Sequence, residues 1–164
     1  MKTPEAQHKE VILKSYPEFQ QIEKAVNILK KLKNNNLQVT IIGKLDEENL
    51  DDKLNEINLE KSMEKKCLAL FEPPLDFGIL SNPNIGTIFI AGFLVSMFLQ
   101  EVEHKKIGVM LTGPFGILRG LGINKERTSF YLEALHRGNY LFIVRGYDTE
   151  INQIKRKLSS FSHK

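Results

Sequence analysis

The sequence predicts an α+β fold, and three observations carry that expectation. Short apolar, β-branched runs alternate with stretches whose apolar residues recur three and four apart, the periods of strand and helix. One stretch, residues 75–123, holds eight of the 11 glycines and the two most apolar runs, Ile85 to Leu99 and Ile107 to Leu118. A length of 164 residues suffices for one domain with a real core.

Val11 to Ser15 (VILKS) reads as a strand that Tyr16-Pro17 breaks. From Glu18 to about Lys33, Phe19, Ile22, Val26, Leu29 and Leu32 share one helical face, with Pro17 at the start and Asn34-Asn35-Asn36 at the end. Leu37 to Gly43 (LQVTIIG) reads as a second strand. Residues 46–66 are charged, with Leu50, Leu54, Ile57 and Met63 near helical spacing and Asp46 as a cap. They predict an acidic helical insert with a solvated charged face. Cys67 to Phe71 (CLALF) reads as a third strand, stopped by Pro73-Pro74. Further on, Asn124 can cap a helix from Lys125 to Arg137 with Phe130, Tyr131, Ala134 and Leu135 inward and Gly138 as its stop. Tyr140 to Arg145 (YLFIVR) is the clearest strand, and Asp148 or Thr149 opens a last helix with Ile151, Ile154, Leu158 and Phe161 on one face.

Between these parts, residues 75–123 read as an apolar, glycine-rich helical hairpin whose arms meet at the charged tip Gln100 to Lys106. Gly92 and Ser96, Gly108 and Thr112, and Gly116 and Gly120 stand four apart, and Gly113 adjoins them, so each arm can present a small-residue face for close helix packing. The arms, 15 and 12 residues long, fall short of the roughly 20 that a membrane span needs, and Pro114 would kink the second. Burial against the protein's own sheet or a second subunit is the first expectation, shallow membrane contact the second, and spanning the last. Without the acidic insert and the hairpin the order is βαββαβ, so residues 1–164 are expected to form a single ferredoxin-like domain. Two helices would cover one face of its antiparallel sheet, and the other face would need a cover.

The net charge of +3 does not by itself imply nucleic-acid binding. Charge is uneven: residues 46–64 hold eight acidic residues, whereas all five arginines lie in the last third. The single cysteine, Cys67, excludes an internal disulfide, fits a reducing compartment and is expected as a small core residue. MKTPEAQHKE lacks an apolar h-region, so the expected location is the cytoplasm or the inner face of a membrane, where Lys105, Lys106 and the basic end could meet anionic lipid.

His8, His104, His136 and His163 are scattered, so no metal site is expected, and Glu101, Glu103 and His104 at the tip read as a solvated turn. Gly113-Pro-Phe-Gly116 and Gly120-Leu-Gly122 precede a helix whose amino end would favour an anion. The Walker pattern and the third glycine of a dinucleotide fingerprint are missing. Arg119 and Arg127 are the candidate anion contacts, and Arg119 can equally snorkel from the second arm. Tyr140 and Phe142 put two aromatics on one side of a strand, but no RNP motif accompanies them, so no nucleic-acid partner is expected. No acid, base and nucleophile constellation is visible, and no catalytic residue or cofactor is expected.

Over residues 107–146 the chain resembles the heat-induced and low-temperature-induced general stress protein family. The resemblance is carried by Gly113-Pro114 in a glycine-rich apolar segment, the closing Leu121 to Ile123, the helix Tyr131-Leu-Glu-Ala-Leu-His-Arg-Gly138, and a strand ending Val144-Arg145-Gly146. It implies a small α/β domain with a glycine-rich hairpin near or in a membrane, a stress-associated and non-enzymatic role, and no catalytic residue to carry over. The aromatics of the first arm and the acidic insert depart from that pattern. The leading expectation is a homo-oligomeric module that uses the hairpin for self-association or for membrane or partner contact. The alternatives are a small-molecule or anion-binding sensor or enzyme with a pocket between hairpin and sheet, contacted by Arg119, Arg127 or Tyr131, and an integral membrane protein with a cytoplasmic α/β domain.

Overall fold

A computed structural model describes residues 8–32, 36–45, 53–71 and 75–162 of the chain. The strand-helix-strand opening is present as β1 (Lys9–Tyr16), α1 (Phe19–Lys31) and β2 (Gln38–Lys44). Helix α1 begins where the Gln21 side chain accepts a hydrogen bond from the Glu18 N–H at 3.0 Å, the return half of a capping box. It turns Ile22, Ala25, Val26 and Leu29 toward the sheet. The expected stop at Asn34-Asn35 and the cap at Asp46 lie outside the described residues.

The strand expected at Cys67 to Phe71 is not formed. Cys67 and Leu68 instead complete α2 (Lys53–Leu68), because Met63 and Cys67, one helical turn apart, continue its buried stripe. The missing strands come from the glycine-rich stretch. β3 (Phe77–Asn82) and β4 (Gly86–Gly92) pair antiparallel from Phe77↔Ala91 to Asn82↔Gly86, where a helical arm was expected. Thr87, Ile88 and Ile90 suit a pleated, buried strand, and Pro83-Asn84 supplies the turn. The helical hairpin is absent. After β4 come a short α3 (Val95–Leu99), a two-stranded ribbon of β5 (Glu101–Val102) and β6 (Lys105–Lys106), a 3-10 turn at Ile107–Val109, and α4 (Gly113–Gly120). The expected order resumes with α5 (Lys125–His136), β7 (Tyr140–Tyr147) and α6 (Asp148–Ser162).

The sheet runs β1-β7-β2-β4-β3, with every neighbouring pair antiparallel. This is not the ferredoxin-like order. β7 lies between β1 and β2, and the two helical crossovers occupy opposite faces, whereas the ferredoxin-like pattern keeps both on one. Helices α1, α2 and α6 bury Ile22, Val26, Met63, Cys67, Ile151, Ile154 and Leu158 on one side, against Phe89, Ala91, Phe142 and Val144 of the strands. On the other side Leu94, Val95, Phe98, Ile117, Leu118 and Leu135 cover Ile88, Ile90, Leu141 and Ile143. The central strand β7 is therefore buried on both faces, which is why Leu141 to Val144 is an unbroken apolar run. Residues of the glycine-rich stretch supply most of the second cover, with Leu94, Val95, Phe98, Ile117 and Leu118 buried in the protein's own core.

Gly92 sits where β4 ends, with φ +129°, and a Cβ there would lie 1.9 Å from the Val39 carbonyl oxygen. Only glycine fits that approach. The chain then enters α3 with the Leu94 N–H donating to the buried Thr40 Oγ1 at 3.0 Å. Among the described residues, no helix is long and apolar enough to cross a membrane.

Candidate functional site

The described residues enclose an open cleft of about 470 Å³. Its walls come from the β3–β4 turn, the segment entering α4, and one face of α5. Asn82 organises the first two. Its Nδ2 donates to the carbonyls of Gly108 at 2.9 Å and Met110 at 3.0 Å. Its Oδ1 accepts from the N–H groups of Asn84 at 2.9 Å and Ile85 at 3.1 Å. The carboxamide thus uses its whole hydrogen-bonding capacity and locks the turn to residues 108–110. That lock brings Asn84 and Ile85 beside Leu111, Thr112, Pro114 and Phe115.

The facing wall is set by the start of α5. Asn124 Oδ1 accepts from the Arg127 N–H at 2.8 Å, and the buried Thr128 hydroxyl donates to the Ile123 carbonyl at 3.3 Å. With Ala134 and Leu135 turned inward, Ser129, Leu132, Glu133 and His136 fall on the cleft side at spacings of three, four and seven. At the far end Lys44 Nζ donates to the His136 carbonyl at 3.1 Å, placing a cation where the last carbonyls of a helix lack partners. Gly138, with φ +103°, ends the helix as expected.

Asn84, Thr112, Ser129 and His136 make no side-chain hydrogen bond to another described residue. Glu133 makes one weak ion pair, Oε1 to Arg137 Nη1 at 3.6 Å, in which both partners are largely exposed. Among the described residues, no lysine or arginine lines the cleft. Ser129 and His136 stand seven residues apart on one helix, about 10 Å along its axis, so the imidazole cannot activate the hydroxyl directly. Glu133 and His136 form a Glu-x-x-His pair, yet among the described residues no group of three or more His, Cys, Asp or Glu could hold a metal ion.

The residues singled out from the sequence lie elsewhere, Thr112 excepted. Gly92 packs on β2 and Ser96 is exposed on α3, so the two share no helical face. A Cβ at Gly108 would meet Leu80 and Phe98, and one at Gly113 would lie 1.7 Å from the Ile107 carbonyl oxygen. Both are close approaches, but within the cover over the sheet rather than between two arms. Gly116 and Gly120 face open space. Arg119 Nη1 donates to the Ile123 carbonyl at 3.0 Å, and the Arg127 guanidinium stands 5.7 Å from the centre of the Tyr131 ring. Neither lines the cleft, and the pair does not form an anion site there. Phe130, expected inward, is 58% exposed. Cys67 is fully buried, and burial pushes its thiol up from an ordinary 9.0 to about 12, with Lys66 opposing, so it is a core residue and no nucleophile.

No family model, curated protein or solved structure matches the chain.

Proposed function

We propose that the protein is a small-molecule-binding domain whose ligand occupies the cleft between the β3–β4 turn, the start of α4 and the outer face of α5. One observation carries this proposal: four exposed hydrogen-bonding side chains, Asn84, Thr112, Ser129 and His136, which make no side-chain hydrogen bond among the described residues, converge on an open cleft of about 470 Å³. The cavity also has an apolar wall of Ile85, Leu111, Pro114, Phe115 and Leu132. A preformed concavity with apolar walls and a few convergent polar groups is what a small-molecule site requires. Binding rather than catalysis is supported by the distance that separates Ser129 from His136.

The leading expectation from sequence is a module that uses an apolar hairpin for self-association or for membrane or partner contact, and the helical hairpin it starts from is not formed. That stretch is committed to the sheet, and it leaves Met97, Val102 and Leu111 exposed. Leu111 already belongs to the cleft lining.

The test is a fragment screen by amide NMR on the wild type and on Ser129→Phe, whose ring fills the cleft from an exposed helical position. Fragments should shift the amides of residues 82–85, 111–116 and 129–136, and those shifts should vanish in the variant while the core resonances stay. A screen in which no fragment perturbs these amides, or in which Ser129→Phe binds as well as wild type, refutes the proposal.

A further inference from the structure

Resting on the cleft as the binding site, we infer that its ligand is an uncharged molecule with a planar amide edge, of the carboxamide, lactam or nucleobase class, on an apolar body. The inference follows from which groups in and around the cleft are already engaged. Two cations beside it already have contacts: Arg137 makes the weak, largely exposed ion pair with Glu133 at 3.6 Å, and Lys44 Nζ donates to the His136 carbonyl at 3.1 Å. With no described lysine or arginine in the lining, a carboxylate or phosphate would find no permanent positive charge there, and it would face the Glu133 carboxylate. A ligand ammonium would compete with Arg137 and with water for that exposed carboxylate.

The groups left over are the Thr112 and Ser129 hydroxyls, the His136 imidazole and the Asn84 carboxamide. Each hydroxyl both donates and accepts, as does a neutral imidazole. A carboxamide offers a donor and an acceptor side by side in one plane, which matches the edge of another amide or of a nucleobase. Pro114, Phe115, Ile85 and Leu132 would receive the apolar body, and Phe115 supplies a ring for a flat one.

Three probes that share one ring and differ in charge decide the matter: benzamide, benzoate and benzylamine, titrated separately at neutral pH and followed by the cleft amides. Benzamide should bind at least about tenfold more tightly than benzoate, a difference of about 1.4 kcal/mol. Asn84→Leu, an exposed substitution, should weaken benzamide several-fold, and Glu133→Gln should improve benzoate. Tighter binding of benzoate or benzylamine overturns the inference and leaves the cleft as a binding site of another class. Equal binding of benzamide by wild type and Asn84→Leu also overturns it. If none of the three probes nor any fragment of the wider screen perturbs the cleft, the proposed function itself falls.

Discussion

Removing the Asn82 side chain should cost more stability than its size suggests, because one carboxamide closes four hydrogen bonds between two segments. Asn82 is 3% exposed, and its bonds to the Gly108 carbonyl and the Ile85 N–H are buried. In Asn82→Ala those two backbone groups lose their partner away from water, at about 1–3 kcal/mol each. The bonds to Met110 and Asn84 are partly buried, and water can replace them at about 0.5–1 kcal/mol each. The expected total is about 3–8 kcal/mol, a large share of the roughly 5–15 kcal/mol that holds a domain folded. Asn82→Asp separates the two halves of the clamp. It keeps the acceptor for Asn84 and Ile85 but turns a carboxylate oxygen toward two carbonyls that stood 2.9 and 3.0 Å from the amide nitrogen. It should therefore be at least as destabilising at neutral pH and recover in acid, where a protonated carboxyl can donate again. Urea unfolding followed by circular dichroism measures both variants, with Asn84→Ala, an exposed asparagine two residues on, as the control expected within about 0.5 kcal/mol. A loss below about 1 kcal/mol for Asn82→Ala would show that the turn and residues 108–110 hold together without the clamp, and the account of how this wall forms would be wrong.

Three further outcomes are expected. Glu103 and His104 turn the β5–β6 ribbon with φ of 53° and 68°, a geometry that favours Asn-Gly, so His104→Gly should raise stability by about 0.5–1 kcal/mol and the midpoint of thermal unfolding with it; an unchanged or lower midpoint would count against a merely structural turn. Lys44→Met keeps the stem beside Gly86 but removes the donor to the His136 carbonyl, so it should cost about 0.5–1 kcal/mol and speed hydrogen exchange in the last turn of α5, leaving the first turn unchanged. Because the Cys67 thiol is raised from 9.0 to about 12, the folded state holds a proton that the unfolded chain releases between those values. The stability this contributes is full below 9.0 and lost as pH rises toward 12, at up to about 1.4 kcal/mol per pH unit. Cys67→Ala should flatten that alkaline slope in urea titrations, although Tyr140, also pushed up, by burial first and then by Glu18 and Cys67, keeps some of it.

The sequence was legible wherever periodicity and caps agreed. Helix α5 starts on the Asn124 cap and stops at Gly138 as expected, and YLFIVR lies within β7. It misled at Ile85 to Leu99 because a short apolar run has the same composition as strand or helix, and the spacing of Gly92 and Ser96 suggested one continuous helix. The better signal was Asn82-Pro83-Asn84 between two apolar runs, the turn chemistry of a β-hairpin. Cys67 to Phe71 misled for the converse reason: its first two residues extend a stripe spaced by four, which a strand reading ignores. The cleft had one local trace, the helical spacing of Ser129, Leu132, Glu133 and His136 on a face that Phe130 leaves for solvent. Its opposite wall lies about 50 residues earlier in the chain and could be joined to it only by the fold.

The strand order assigns different mechanical roles to those two walls. Helix α5 leads through a turn of three residues into β7, the strand buried between β1 and β2, and Lys44 of β2 holds its end. The β3–β4 turn belongs to the edge of the sheet, and the Asn82 side chain ties it to residues 108–110. An element held by the central strand shares the global stability, whereas an edge turn with few buried contacts opens at lower cost. Ligand binding should therefore slow hydrogen exchange most at residues 82–86 and 108–112, and least along the inner face of α5. The helix presents a fixed row of polar groups, and the turn adjusts to what lies against them.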